Sequence, residues 1–196
     1  MTHANRLVLL VLLLVAGCSF LVPRPDPTRF LVLTTTAKGP SGPPTGLTIG
    51  LGPVTVPPYL ERPEIMTRVA ENELRPSPVD RWAAPVGTQI ARTLSHDLTA
   101  LLGLDRVVLH PWYSTADFAA VVEVDVYRFE ITSDGKALLV ARWRVRPAKG
   151  GLRSNTFVRT ETAAGDVEAA VGAMSLAVEG LAAEIAGAVR EASARR

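Results

Sequence analysis

Two alternating runs, Val121 to Ile131 and Ala137 to Arg146, flank Ser133-Asp134-Gly135-Lys136, and this arrangement constrains the chain more than any other feature. Asp-Gly between such runs signals a hairpin, because glycine reaches positive φ without steric cost. A two-residue turn centred on Asp134 and Gly135 sets Val126 opposite Trp143 and Val124 opposite Val145. The other face then pairs Asp125 with Arg144, Glu123 with Arg146 and Tyr127 with Arg142. One face is apolar and the other is a ladder of opposite charges, which a one-residue slip would destroy because side chains alternate with period two. The arginine row is thereby half of an ion-pair ladder rather than a phosphate site. Towards the tip the pattern inverts, with Phe129 opposite Val140 and Ile131 opposite Leu138 on the polar face. Either a bulge near Tyr127 or Arg128 resets the phase, or another element or a partner covers the tip.

A sheet with one apolar face needs a cover, and two helical patterns supply it. The first runs from about Ala84 to Leu102, with Pro85 in its first turn, Gly103 just past its end, and a stripe of Val86, Ile90, Leu94, Leu98 and Leu101. The second follows the N-cap residue Asp166 and continues to about Ser193, with Val167, Val171, Met174, Val178, Leu181, Ile185 and Val189 as its stripe. Its Gly172, Gly180 and Gly187 either permit close packing or weaken the helix by about 1 kcal/mol each. Further strands are expected at Arg29 to Thr36, at Leu47 to Val56 with an interruption at Gly52-Pro53, near Glu64 to Val69 and Asn72 to Arg75, and at Arg106 to Leu109 and Ser154 to Thr162. Ala37 to Gly46, rich in Pro and Gly, reads as a flexible loop. The expectation is one α/β domain of the α+β kind over residues 29–196, with a mixed, largely antiparallel sheet and two long helices packed on one side.

The N-terminus adds a compartment. Arg6, an apolar run from Leu7 to Val15, and Ala16-Gly17-Cys18 form a secretory leader over residues 1–17, too short to span a bilayer stably. Val15-Ala16-Gly17-Cys18 resembles the bacterial lipobox, which implies cleavage before Cys18 and acylation of its thiol. Cys18 is the single cysteine, so a disulfide framework, a multi-thiolate metal site and a Cys-x-x-Cys redox pair are excluded. Losing Arg6 with the leader leaves 20 basic against 19 acidic residues. A near-neutral body suits an acyl anchor, in which each buried methylene contributes about 0.8 kcal/mol and no basic patch is required. It also gives no broad basic field for nucleic acid. Residues 18–28, with Pro23, Pro25 and Pro27, read as an extended tether holding the body about 30 Å or less from the membrane. Ser19 after the cysteine implies, by analogy with lipobox proteins, sorting to the outer membrane.

Chemistry is sparse. His3 is lost with the leader, and His96 and His110 belong to no His-x-x-x-His pair. Gly-x-Ser-x-Gly, Walker and dinucleotide motifs are missing, so no cofactor, metal or catalytic residue is expected. His96-Asp97 reads as a solvated pair on the first helix, and Glu123 and Asp125 face arginines, which favours ionised carboxylates and disfavours a general acid. What remains is Pro57-Pro58-Tyr59-Leu60-Glu61-Arg62-Pro63, Arg68 and Arg81-Trp82-Ala83-Ala84-Pro85. Stiff backbone, aromatics and Arg are the stock of binding hot spots, so Tyr59, Leu60, Arg62, Arg68, Arg81 and Trp82 are candidate partner-binding residues. The same residues also fit a bland role, with Tyr59 and Trp82 as core plugs and the arginines capping carbonyls or pairing Glu61, Glu64, Glu71 and Glu73.

Pro58-Tyr59-Leu60-x-Arg62-Pro63-x-Ile65-x-Thr67-Arg68, then Arg81-Trp82-x-x-Pro85 leading a helix, then Trp143 in a late strand, resemble the PqiC/YmbA family of ABC-type transport auxiliary lipoproteins. The resemblance runs from about Phe30 to Val189. It implies a non-catalytic, lipid-anchored outer-membrane protein facing the periplasm. Its partners would be an MCE-domain protein and an inner-membrane permease, in machinery that moves lipids and supports envelope integrity. Homo-oligomerisation is left open. Two roles follow from it: docking the periplasmic assembly to the membrane, or binding lipid or another hydrophobic ligand as a carrier. A carrier needs a shielded apolar cavity of several hundred Å³, whereas both helix stripes and the hairpin face are needed to fill one small core. Docking is therefore the expected role.

Overall fold

A computed structural model describes residues 25–39, 45–163 and 165–194. The leader, Cys18, the first part of the tether and the centre of the 37–46 loop lie outside the described residues.

Eight strands are described: β1 (Arg29–Leu31), β2 (Thr48–Thr55), β3 (Glu64–Ala70), β4 (Glu73–Trp82), β5 (Arg106–Leu109), β6 (Ala120–Ile131), β7 (Ala137–Pro147) and β8 (Arg153–Glu161). The helices are α1 (Val86–Leu102) and α2 (Val167–Ala194). The pivot is β6. One of its edges carries β7 along its whole length, with β8 beyond. Its other edge is divided, because β2 pairs in parallel with the first half, from Ala120 to Asp125, and β3 meets the tip through Thr67 and Ile131. The sheet therefore forks, with β5 outside β2, and β4 then β1 outside β3. The long ladders are antiparallel and the fork is made of parallel pairs, which gives the mixed sheet with two helices packed on it.

The hairpin corrects the expected register in an instructive way. Gly135, at φ +78°, donates its N–H to the Thr132 carbonyl at 2.9 Å, and Thr132 N–H donates to the Lys136 carbonyl at 2.8 Å. That closes a three-residue loop, one residue longer than expected, and pairs Phe129 with Leu139 and Ile131 with Ala137. A bulge between Val126 and Arg128 then adds a second one-residue shift, so Val124 meets Trp143, Val122 meets Val145, Glu123 meets Arg144 and Asp125 meets Arg142. From Ala120 to Val126 the two single shifts make an even slip, which keeps those residues on their expected face, while the bulge turns Phe129 and Ile131 of the tip onto the core face. The anticipated ion pairs survive as diagonals, Arg144 with Asp125 at 3.0 Å and Arg146 with Glu123 at 3.4 Å.

Helix α1 ends on Gly103 at φ +59°, whose N–H returns to the last turn, a left-handed stop that glycine adopts readily. Helix α2 starts where Asp166 Oδ1 accepts the Ala169 N–H at 3.1 Å. Val86, Ile90, Leu94 and Leu98 of α1 and Val171, Met174, Val178, Leu181, Ile185 and Val189 of α2 are buried. The two helices pack on each other and on one face of the sheet, with α2 across β6, β7 and β8 and α1 across β2 and β5. Helix α2 is long and apolar enough to cross a membrane, but most of that length is buried in this core. Gly180 lets the Phe157 ring approach, at 3.3 Å from where a Cβ would sit, while Gly172 and Gly187 face open space.

Two expectations fail for one reason. The first strand ends at Leu31 instead of Thr36, because beyond it the backbone leaves the sheet and crosses the helices. Leu33 N–H donates to Gln89 Oε1 at 2.9 Å, Thr34 N–H to Ser175 Oγ at 3.1 Å, and Ala37 N–H to Asp97 Oδ1 at 3.4 Å. Asp97 is thus fully buried under this strap rather than solvated, while His96 stays exposed. Strand β4 also extends well past Arg75, through Pro76 and Pro78 to Trp82. On its β1 side this part of the strand is unpaired, because β1 reaches only Asp80 to Trp82, and on its β3 side Pro76 stands opposite Met66 beside a break in the register, places where a missing N–H is tolerated.

Candidate functional site

The bulge at Tyr127 and the cover over the hairpin tip make the most elaborate polar cluster of the molecule. Beyond the bulge, Phe129 and Ile131 point to the core, which turns Arg128 and Glu130 to the opposite face of β6. Glu130 would be expected to reach water there, but it is fully buried. Strand β3 and the short 3-10 turn Pro58–Leu60 close over it. Arg68 of β3 donates Nε to Glu130 Oε1 and Nη2 to Oε2 at 3.2 Å, in a two-pronged grip. Arg128 donates Nε and Nη2 to Oε1 at 2.9 and 2.6 Å, and Tyr59 donates its hydroxyl to Oε2 at 3.2 Å. Arg68 also caps the Glu71 carbonyl at 2.7 Å, tying the β3–β4 turn into the same knot.

The electrostatics follow from these contacts. Burial pushes the Glu130 carboxyl upward, but the hydrogen bonds and charges of Arg68 and Arg128 outweigh it and hold the group below the usual range. Tyr59 goes the other way: burial, then the Glu130 charge, push its hydroxyl up to about 12, so it stays a donor. An ionised acceptor between two guanidiniums and a neutral phenol is an arrangement for holding chain segments together. It has no labile proton near neutral pH.

The six candidate partner-binding residues are brought to one region but divide by depth. Trp82 is buried and stacks on Phe129 with ring centroids 6.1 Å apart and planes 17° apart. Leu60 is buried beside it in the core, so these two are plugs that the fold requires. Tyr59 is half-buried, and Arg68 is 22% exposed and committed to Glu130. Arg81 folds back on the Ser77, Asp80 and Pro78 carbonyls at 2.7, 3.1 and 3.3 Å. Arg62 alone among the six is freely presented, 55% exposed and paired only with Glu64 at 3.3 Å. Sequence reasoning missed Glu130, and the signal was available: a carboxylate between Phe129 and Ile131, in a tip that needs a cover, must meet cations from the covering element.

Elsewhere the described surface offers shallow grooves. That between β8 and α2, about 720 Å³, is lined by Trp143, Asn155, Glu184 and Glu191, with Trp143 Nε1 and Asn155 Nδ2 both donating to Glu184 Oε1 at 2.8 and 2.9 Å. No cluster of three or more metal-ligating side chains occurs among the described residues.

Fold and site together define a two-layer α+β domain whose charged cluster secures one end of its sheet. The chain belongs to the family described as the ABC-type transport auxiliary lipoprotein component, whose model matches residues 31–186. A crystal structure of an uncharacterized protein superposes with a TM-score of 0.68 at 19% identity, covering 83% of this chain and 98% of that one. A protein of the DUF330 family from Xanthomonas campestris does so at 0.67 and 15%, covering 86% and 100%. At these identities the likeness is one of fold. No curated protein matches the chain.

Proposed function

We propose that the protein is a non-catalytic lipoprotein, acylated at Cys18 and held at the outer membrane with its domain in the periplasm. There it docks an MCE/ABC-type intermembrane lipid transport assembly and supports envelope integrity. The observation that carries this reading is membership of the transport auxiliary lipoprotein family across nearly the whole domain. Two features of the molecule agree with docking rather than carriage. The helix stripes and the hairpin face are spent on one filled core, and the groove between β8 and α2 is lined by charged residues, Glu184, Glu191 and Arg153. The partners in this reading are an MCE-domain periplasmic protein and an inner-membrane permease. The contact surface is the proline-flanked turn with Tyr59 and Arg62, underpinned by Leu60 and Trp82 and bordered by Arg68 and Arg81.

Pull-down from membranes, with a melting curve for each variant, tests the surface. Arg62→Glu should leave fold and acylation intact, lower recovery of the MCE-domain partner and make the envelope leakier. Normal recovery from a folded Arg62→Glu, Tyr59→Ala double variant would remove this surface from consideration. The anchor is checked separately: Cys18→Ser should accumulate as a full-length, unacylated precursor, and a free Cys18 thiol in the wild-type protein would end the lipoprotein reading.

A further inference from the structure

Large apolar side chains stand exposed at eight described positions, and two of these lie side by side in one alternating run. Phe30 is 67% exposed and Val32 54%, while Leu31 and Leu33 between and after them turn inward. In a half-buried strand the outward positions are ordinarily polar. Here the inward leucines already satisfy the core, so the fold has no use for Phe30 and Val32. Among the described residues the edge on which Phe30 lies is also open, because β1 pairs there with β4 alone, Phe30 beside Arg81. The remaining exposed apolar residues include Tyr113 in the loop after β5 and Val158 on β8, two elements that do not pair with β1.

Position along the chain identifies the occupant. Cys18 precedes Phe30 by only twelve residues, about 40 Å at full extension. The first apolar surface that the folded domain presents is thus within reach of the membrane that would hold the acyl chains. The charges beside it are already spent, since Arg29 pairs with Asp80 at 2.7 Å and Arg81 is folded on carbonyls. Attraction to anionic headgroups therefore contributes little, and insertion of apolar side chains contributes most. A tether this short converts weak insertion into an intramolecular event at high effective concentration.

We propose that the β1 edge is a membrane-contact face, with Phe30 and Val32 seated in the lipid surface and the domain lying against the bilayer instead of hanging free on its tether. The proposal rests on acylation of Cys18, and it makes no use of the MCE partner.

The acylated protein is its own reagent, because Cys18 is its one cysteine and the thiol is consumed by lipid. Phe30→Cys, Val32→Cys, Val158→Cys and Tyr113→Cys each then carry a single thiol for an environment-sensitive fluorophore. In vesicles of phosphatidylethanolamine with some phosphatidylglycerol, probes at 30 and 32 should emit to the blue and lose emission to nitroxide-labelled lipids. Probes at 158 and 113 should do neither, and added salt should not reverse the shift. Water-like emission at 30 and 32 in a protein whose mass confirms acylation overturns the contact face and leaves the anchor standing. A free Cys18 by mass overturns both. Blue emission at 30 that nitroxide-labelled lipids do not quench would mean that another part of the chain covers Phe30, and it too overturns the proposal.

Discussion

Glu130 and Asp97 are both fully buried carboxylates, and their environments drive them in opposite directions. For each, burial is the largest influence and favours the neutral acid. At Glu130 the hydrogen bonds and charges of two guanidiniums reverse it. At Asp97 burial prevails, helped by the Glu179 charge and opposed by the Ala37 and Thr36 N–H groups, and Oδ2 has no hydrogen-bond partner. Depth alone does not settle the state of a buried acid; what the neighbouring chain segments bring to it does. The two sites accordingly hold their covers differently. The segment over the hairpin tip is clamped by paired charges, whereas the strap over the helices is held by single hydrogen bonds, donated by Leu33 and Thr34 to Gln89 and Ser175 and by Thr36 and Ala37 to the Glu179 and Asp97 carboxyls.

This contrast can be broken by experiment. The largest effect is expected for Arg68→Ala, which leaves Glu130 buried with one guanidinium. A loss of about 3 kcal/mol in denaturant unfolding is expected, at the lower end of the range for a broken buried pair because Arg128 remains. A loss under about 1 kcal/mol, the scale of exposed pairs, would erase the distinction between the two sites.

Asp97→Asn should have the opposite sign, a gain of about 1 kcal/mol near neutral pH, because it removes a buried charge while keeping an acceptor for the Ala37 N–H. The pH dependence sharpens this. The folded state raises the Asp97 pKa, so the stability that it contributes is complete below its ordinary value of 3.8 and is lost as pH rises through the raised value. Glu130 is lowered, so its contribution is present above 4.5 and is lost as pH falls through the lowered value. Asp97→Asn should therefore flatten the mildly acidic limb of a stability profile, and Glu130→Gln the strongly acidic one. Two variants with the same profile would show that the acids are equivalent after all.

Tyr59→Phe deletes one hydroxyl that donates to Glu130 and to the Tyr127 carbonyl, and a loss of about 1 kcal/mol in thermal unfolding is expected. Smallest of all, Arg146→Ala on the open ladder should cost less than about 0.5 kcal/mol and vanish in high salt, since the pair is exposed and Glu123 keeps Arg144.

Legibility in the sequence followed the range of the interaction. Local period placed both helices, their caps and their buried stripes, and it placed the hairpin with its two faces. It missed the pairing partners because an Asp-Gly turn is compatible with two loop lengths, and the bulge was only one of two ways to reconcile Phe129 and Ile131 with the core. The six docking candidates were legible as a cluster but not as a surface. Proline, aromatic and arginine residues look alike in sequence whether they plug a core, as Trp82 and Leu60 do, or stand free, as Arg62 does.

The sequence by itself thus determined the class of fold, because alternation and helical spacing are properties of consecutive residues, and an even register slip cannot change which face they occupy. Only the tertiary structure decided that Glu130 is a clamped anion, Asp97 a buried acid beneath a strap, and β6 the shared edge at which the sheet forks. Each of those outcomes joins segments far apart in the chain, Arg68 to Glu130, Ala37 to Asp97, and β2 and β3 to one strand. The charge state of a buried group is set by which distant dipoles and ions arrive beside it, and no local pattern records that arrival.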